Sequence, residues 1–452
     1  MTQRHQTRTQ PQTPRQQTPR QQTPRQPAPR RRATTLAGLA LAASAALALT
    51  ACSGTAGTGG TAGAGGAGAD DAAGAASGNG ATTASSAQPR IAATYDGGVL
   101  VLDATTLETV ADVELAGFNR VNPAGDGRHV LVSTEEGFRV LDTGAWTTGG
   151  THHVAEPELT DLVFEAPTPG HVVRHGDKTI LFSDGTGDTT VFETADLLDV
   201  SETGELPATE TISSPEAHHG VSIELEDGTL LTTIGDSESR VGVRALDAEG
   251  QETARSEECP SVHGEGTTAD EVAVFGCSDG VLLYDDGAFT KIAAADEYGR
   301  TGNAYVTDSS SVMLGDYNSD PDSEGYELTQ LTKVDTAAAT SQVLDLPAGV
   351  SYTWKGVGRT ADDDALVLGT DGALHLLDVA TGSFGASYPV IDAWEGPAEW
   401  QDSHSSLSVV GDTAWVTDPA AGAIHAVDVA TGEVTATADL GVEANEIAVV
   451  TG

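Results

Sequence analysis

The chain has 452 residues and carries 67 acidic against 22 basic side chains, which gives a formal net charge of −45. A surface this negative repels nucleic-acid backbones and anionic lipid headgroups, and it therefore excludes nucleic acids as partners. The same charge attracts cations, but solubility is its more general explanation, and charge alone is weak evidence for a metal site.

The first 51 residues predict a basic, disordered N-terminus followed by a lipoprotein signal peptide. A segment rich in Gln, Thr, Pro and Arg has too few apolar residues to fold, and three consecutive arginines then precede an apolar run over residues 36–49. This order is typical of secretory signals, and the run is short for a membrane-spanning helix. The tetrapeptide Leu-Thr-Ala-Cys resembles a lipoprotein box, which predicts lipidation of Cys52 and attachment to the outer face of the bacterial cell membrane. An uncleaved membrane anchor is the alternative.

Residues 52–88 are almost wholly Gly, Ala, Ser and Thr. This composition predicts a flexible tether, because it offers few side chains that can bury a core. The folded domain is therefore expected over residues 89–452, a length that is large for one simple domain but ordinary for a ring of repeats.

A strand that ends in an acidic residue recurs eight times, at intervals of roughly 38 to 54 residues. The apolar residues in these strands alternate with period two, and the turns contain Asp-Gly, Gly-Asp and Thr-Gly pairs, as in antiparallel hairpins. Four short strands in a unit of this length describe one blade of a β-propeller. The eight strands end at Asp103, Asp142, Glu193, Asp247, Asp285, Asp335, Asp378 and Asp428.

The two ends of this region complement each other. Residues 91–103 match the second and third strands of a blade, whereas residues 445–452 match a first strand. The last strand would complete the first blade and remove an exposed sheet edge. The prediction is a single all-β propeller of eight four-stranded antiparallel blades, closed by the C-terminal strand. Seven blades would result if one unit is irregular.

Four repeats carry a histidine at the start of the first strand. Equivalent positions in a ring lie at one height around one axis, so these imidazoles are expected to point toward a common centre. Imidazole is the commonest protein ligand for zinc, and three or four of them suit a tetrahedral Zn²⁺ site. Polar residues that line a wet channel are the alternative. The four positions are His171, His219, His263 and His404; the other repeats have Asn119, Asn303, Lys355 and Asn445 there.

Further side chains are candidates for auxiliary metal capture. Glu265 follows His263 closely, and His218 precedes His219 but should point to the opposite face of a regular strand. His152 and His153 lie in a polar connection between blades, where a mobile pair would capture metal first; a plain loop is the alternative. Three more histidines are expected at the surface, in or beside outer strands: His129, His375 and His425.

Cys259 and Cys277 flank a strand-turn-strand segment that would bring them close together. Disulfides persist in exported proteins, so we expect a bridge, with a zinc site built on the two thiols as the minor alternative. Motifs for hydrolytic, dinucleotide-dependent or phosphoryl-transfer catalysis are absent from the sequence.

The motifs His-His-Gly at 218–220 and Cys-Pro-x-x-His-Gly-Glu at 259–265 resemble those of AztD-type zinc metallochaperones. The resemblance covers most of residues 91–452 and is densest over 169–284. These exported β-propellers hand zinc to the solute-binding protein of a zinc ABC transporter. The resemblance implies a zinc site at the ring-mouth histidines, with His404 as a further ligand, and the Cys259–Cys277 bridge. Family members often have a longer His- and Asp-rich segment where this chain has only His152-His153.

We therefore expect a monomeric zinc chaperone without catalytic turnover, whose partners are that solute-binding protein and, through the lipid, the membrane. A propeller enzyme, such as a lactonase or a metal-dependent hydrolase, is one alternative. It would need an open metal position, a general base and a substrate pocket. A protein-interaction scaffold with incidental histidines is the other.

Overall fold

The computed structural model describes residues 80–452. The predicted signal peptide, Cys52 and most of the predicted tether lie outside the described residues. Within that range, no helix has the length and apolar character needed to cross a membrane. The first strand, Thr82–Ala84, lies inside the segment that composition assigned to the tether, so folded structure begins before residue 89.

Short strands joined by tight turns make up most of this region. In chain order they are β1 (Thr82–Ala84), β2 (Arg90–Tyr95), β3 (Gly97–Asp103), β4 (Thr109–Leu115), β5 (Val121–Pro123), β6 (His129–Ser133), β7 (Gly137–Asp142), β8 (Ala145–Thr148), β9 (Thr151–Val154), β10 (Glu158–Glu165), β11 (Pro169–His175), β12 (Lys178–Ser183), β13 (Asp188–Glu193), β14 (Glu210–Ile212), β15 (Ser222–Glu224), β16 (Leu230–Gly235), β17 (Arg240–Leu246), β18 (Glu252–Ser256), β19 (His263–Thr268), β20 (Val272–Cys277), β21 (Gly280–Asp285), β22 (Ala288–Ala293), β23 (Ala304–Tyr305), β24 (Val312–Tyr317), β25 (Gln330–Asp335), β26 (Thr340–Asp345), β27 (Val357–Arg359), β28 (Ala365–Leu368), β29 (Ala373–Asp378), β30 (Ser383–Pro389), β31 (Leu407–Val410), β32 (Thr413–Asp418), β33 (Ala423–Asp428), β34 (Val434–Asp439) and β35 (Ile447–Val450). The helical segments of the described residues are Thr194–Asp199, Val200–Thr203, Ala269–Glu271 and Trp354–Gly356.

Eight four-stranded antiparallel sheets form the blades of a propeller, as the repeat predicted. From the innermost strand outward they are blade 1 (β35, β2, β3, β4), blade 2 (β5, β6, β7, β10), blade 3 (β11 to β14), blade 4 (β15 to β18), blade 5 (β19 to β22), blade 6 (β23 to β26), blade 7 (β27 to β30) and blade 8 (β31 to β34). Innermost strands of neighbouring blades contact one another, except that β11 of blade 3 contacts β6 of blade 2, so the starts of the innermost strands surround one central channel.

Blade 1 is built from both ends of the described region. β35 pairs with β2, from Arg90 opposite Val450 to Ala93 opposite Ile447. This pairing closes the ring and covers an edge that would otherwise be exposed. The prediction of eight blades closed by the C-terminal strand is confirmed, and the alternative of seven blades is wrong.

Blade 2 contains an insertion between its third and fourth strands. The chain leaves β7, forms β8 and β9, and returns as the outer strand β10. β9 is the central strand of a separate three-stranded sheet, in which it pairs with β1 and with β8. His152 and His153 lie in β9. The segment that we predicted to be a mobile connection between blades is therefore a strand that is hydrogen-bonded on both sides.

The hydrophobic core lies between the blades. Ile180 of blade 3, Leu231 of blade 4 and Phe275 of blade 5 belong to one buried cluster, and each is at most 1% exposed. Because such interiors are close-packed, this cluster fixes three consecutive blades relative to one another. It therefore also fixes the positions of their first strands, which contain His171 and His263 and directly follow His219.

The Cys259–Cys277 disulfide is present, and both residues are completely buried. The bridge ties the loop before β19 to the end of β20. The predicted disulfide is confirmed, and the alternative of a zinc site on these two thiols is wrong.

Loss of this bridge should destabilise the protein. The double change Cys259→Ser and Cys277→Ser releases a constraint across 18 residues of sequence, so we expect the free energy of unfolding to fall by about 3 kcal/mol. Denaturant unfolding of wild type and variant measures this difference. Thiol labelling of denatured, unreduced wild-type protein, followed by peptide mapping, checks the premise; labels on both residues 259 and 277 would refute it.

Candidate metal centre

The structure brings His171, His219 and His263 together at the innermost strands of blades 3, 4 and 5. Their ring centroids lie 5.0–5.3 Å apart. One nitrogen from each imidazole lies within 4.8 Å of the other two. We call these three residues the histidine triad. Tetrahedral zinc with bonds of 2.0–2.1 Å needs nitrogens about 3.4 Å apart, so side-chain shifts of about 1 Å would place all three on one ion.

Irregular strand pairing occurs beside two of the three histidines and affects the direction of their side chains. The pairing of β11 with β12 shifts register before His171, and the pairing of β19 with β20 shifts after His263. Such bulges commonly redirect a side chain beside a functional site. Gly264 makes the second bulge feasible, because it adopts a φ of +66° and a Cβ there would lie 2.6 Å from the carbonyl oxygen of Gly302.

Hydrogen-bond acceptors behind the triad orient two of its imidazoles. The Nδ1–H of His219 donates to Asp184 Oδ2 at 2.6 Å, and the Nδ1–H of His263 donates to the carbonyl oxygen of Gly302. A carbonyl oxygen can only accept, so His263 carries its proton on Nδ1. The Nε2 lone pairs of both rings are therefore free for a metal, the arrangement that carboxylates and carbonyls impose on zinc-binding histidines.

The third imidazole, that of His171, has a carboxylate nearby but beyond hydrogen-bond distance. Glu265 Oε1 lies 3.7 Å from His171 Nδ1, and both side chains are largely buried. The carboxylate of Glu265 thus stands beside the triad, where it can orient His171 or supply a fourth ligand. The exposure of the triad is uneven, because the side chain of His219 is 43% exposed.

Burial holds the pKa of His263 well below the ordinary histidine value, and the neighbouring His171 imidazole adds to the lowering. His263 is therefore neutral at neutral pH. Only the neutral imidazole has the lone pair that binds a metal, so zinc does not have to displace a proton from this ligand.

His404 does not belong to the triad, although it occupies the equivalent register. Blade 8 lies three blades away from both blade 3 and blade 5, which places it across the channel. The ring of His404 is 3% exposed, packs near Trp354 and Trp394, and hydrogen-bonds through Nδ1 to the carbonyl oxygen of Asp402 at 2.8 Å. Burial, together with the nearby Lys355 ammonium, lowers the pKa of His404 to about 4. A fixed cation beside this ring also disfavours a metal ion there.

The auxiliary candidates have separate structural partners. His218 is buried, bonds through Nε2 to Thr233 Oγ1 at 3.0 Å and packs against Phe182. Adjacent residues of a strand point to opposite faces, so His152 and His153 are directed apart. The His152 ring bonds to Thr147 and the His153 ring stacks on Trp146.

Two of the three histidines that we expected at the surface are buried. His129 is completely buried, where its Nδ1 bonds to Asp126 Oδ2, and His375 is 5% exposed beside Asp371. His425 is half-buried. Hydrogen bonds to these carboxylates explain how the first two tolerate burial.

The triad opens into a cavity of about 510 Å³ at the channel mouth. Its walls come mainly from blades 3 to 7 and include Arg120, Arg300, Tyr305, Trp354 and Trp400. Three residues of the site have no recognisable sequence signal: Asp184 and Gly302, which orient His219 and His263, and Arg300. Asp184 lies in an ordinary-looking Ser-Asp-Gly turn, and neither of the others belongs to a motif. Only the folded ring brings them to the histidines.

No protein-family model matches this chain. Two structures of AztD from Citrobacter koseri share its fold: the crystal structure has a TM-score of 0.67 at 20% identity over 81% of this chain and 98% of that chain, and the apo structure has 0.66 at 19% over 80% and 97%. The dihydro-heme d1 dehydrogenase NirN in complex with DHE is more distant, with a TM-score of 0.51 at 12% identity over 80% and 75%. At these identities the likeness establishes a common propeller fold.

Proposed function

We propose that this protein is an extracytoplasmic zinc-binding metallochaperone that delivers Zn²⁺ to the solute-binding protein of a zinc ABC transporter. The observation that carries the proposal is the histidine triad, with Asp184 and Gly302 holding the rings of His219 and His263 so that their Nε2 atoms are free. The zinc ion is the cargo of this site. The fold shared with AztD and the resemblance in the His-His-Gly and Cys-Pro-x-x-His-Gly-Glu motifs support the same role.

The donor set favours zinc over the abundant hard cations. Imidazole nitrogen suits zinc, whereas magnesium and calcium take oxygen ligands. Three protein ligands also leave one tetrahedral position for Glu265, water or a ligand from a partner. Incomplete protein coordination favours transfer, because an acceptor can bind the ion before the donor releases it.

We further propose that the protein is monomeric and lipid-anchored through Cys52 on the outer face of the bacterial cell membrane. The lipoprotein-type leader and the Gly-, Ala-, Ser- and Thr-rich segment that precedes β1 support this arrangement. A tether of this composition would keep the propeller close to a membrane transporter and free to reorient.

Zinc selectivity tests the proposed function. Purified protein should bind about one zinc ion per chain, and far more tightly than magnesium or calcium at neutral pH. A competition titration against a chromophoric chelator measures this preference, and equal affinity for the three ions would contradict the proposal.

Three histidines with an open position also occur in catalytic zinc sites. Lactone or ester hydrolysis by the zinc-loaded protein, lost with the triad, would therefore assign the site to an enzyme.

A further inference from the structure

Arg300 is a cation without a carboxylate partner in the triad cavity. Its Nη1 donates to the carbonyl oxygen of Ser261 at 3.1 Å, and among residues 80–452 no carboxylate oxygen lies within 4.0 Å of its guanidinium. A guanidinium has five N–H donors, so most of this group's capacity remains open. Although Glu265, Asp316 and Glu324 line the same cavity, the open N–H groups of Arg300 can still bind an anion there.

The second arginine of the cavity provides the contrast. Nε of Arg120 bonds to both carboxylate oxygens of Glu446, at 3.0 and 3.3 Å, and its guanidinium lies over the ring of Trp354. The charge of Arg120 is therefore compensated within the chain. Of the two, only Arg300 has no carboxylate from the described part of the chain bonded to its guanidinium: the nearby Asp316 feels its charge, but both oxygens of Asp316 are hydrogen-bonded to Gly302 and Asn303.

Arg300 lies close to the triad. Its Nη2 is 3.6 Å from where a Cβ on Gly302 would be, and the carbonyl of Gly302 accepts the hydrogen bond from His263. The bond to Ser261 fixes the guanidinium two residues before His263. A fixed positive charge this near a zinc site repels the ion, and an anion bound between them would remove this repulsion.

The cavity has room for such an anion. Its volume of about 510 Å³ lies within the range of small-molecule sites, about 300–1,000 Å³, whereas one water occupies about 30 Å³. The aromatic rings of Tyr305, Tyr326 and Trp354 supply apolar wall beside the charged groups.

We propose that the cavity binds a small carboxylate anion together with zinc, with one carboxylate oxygen on the metal and the carboxylate hydrogen-bonded to Arg300. This inference rests on the proposed zinc site and names a second ligand for it. Carboxylate oxygens bind zinc, and the guanidinium fork matches a carboxylate in a bidentate manner. The anion reduces the positive charge of a zinc ion held by three neutral imidazoles, which removes the conflict between Arg300 and the metal.

The test uses succinate as probe, with sodium chloride at matched ionic strength and neutral succinamide as controls. Zinc affinity of the wild-type protein should rise about tenfold or more with succinate, as expected for a charge-assisted bidentate contact. Arg300→Ala should lose this gain, and Arg300→Lys should keep part of it. Arg255→Ala is the matched control, because Arg255 is half-exposed and paired with Glu252 and Glu257 away from the cavity. With Co²⁺ in place of zinc, succinate should shift the visible absorption bands of wild type but not of Arg300→Ala.

The outcomes separate this inference from the proposed function. Zinc binding without succinate reports on the triad alone, and its absence would refute the function. Tight zinc binding that succinate leaves unchanged would overturn the inference and keep the function. Higher zinc affinity in Arg300→Ala, with no response of wild type to succinate, would likewise overturn it and assign Arg300 to electrostatic weakening of the site.

Discussion

The triple change His171→Ala, His219→Ala and His263→Ala should abolish tight zinc binding and leave the propeller folded. Structural zinc sites contribute binding free energies of about 10–16 kcal/mol, so removal of all three nitrogen ligands should weaken binding by about a thousandfold or more. The fold should persist because the three side chains line a cavity that is open to solvent, whereas the blades are held by buried clusters between their sheets. A chelator competition titration measures affinity, and circular dichroism with thermal melting measures the fold.

Matched variants make this result specific. His404→Gln should retain tight zinc binding, because that ring lies across the channel from the triad, and His152→Ala with His153→Ala should also retain it. Asp184→Asn keeps the size of the side chain but weakens the acceptor for His219, so affinity should fall by about 10–100-fold. A folded triple variant that still binds zinc tightly would place the site elsewhere, with the β9 histidines as the next candidates.

The sequence predicts the ring well because the same strand pattern occurs eight times. Any one strand with period-two alternation is weak evidence for a fold. Eight such strands at similar spacing, together with the match between the two ends of the region, predict eight blades and a closing strand. The same register predicts the proximity of His171, His219 and His263, since consecutive blades are neighbours around the axis. It misplaces His404 because equal height in a wide ring does not mean contact: blade 8 lies on the other side of the channel.

Residues outside the repeat could not be found in this way. Asp184, Gly302 and Arg300 belong to turns and connections whose positions depend on how blades 3 to 6 pack. The sequence of His152 and His153 resembles that of a loop because the insertion that contains them interrupts the strand pattern of blade 2. Their strand β9 pairs with the adjacent β8 and with β1, which is about 70 residues away in sequence. Buried His129 has a similar explanation, since its acidic partner Asp126 lies in a turn with no motif.

Zinc-loaded protein should pass its metal to the partner solute-binding protein faster than zinc dissociates into solution. His219 is the most exposed triad residue, and the cavity opens at the channel mouth, so an incoming ligand can reach the ion while the less exposed His263 still holds it. Associative exchange of this kind avoids a fully dissociated zinc ion, which is the slow step for a tight site. The acidic surface of the propeller should also make docking sensitive to salt, because charge complementarity acts mainly on the association rate.

The decisive measurement is the transfer rate as a function of partner concentration, in the presence of a chelator that captures any zinc released to solution. The expected rate rises with partner concentration and then saturates, and the chelator does not intercept the metal. Zinc-loaded protein mixed with chelator alone gives the spontaneous dissociation rate as a reference. His404→Gln, which should leave the triad and the mouth intact, should transfer zinc at the wild-type rate. A rate that is independent of partner concentration and equal to the reference would mean release through solution, and the protein would then be a zinc buffer rather than a chaperone.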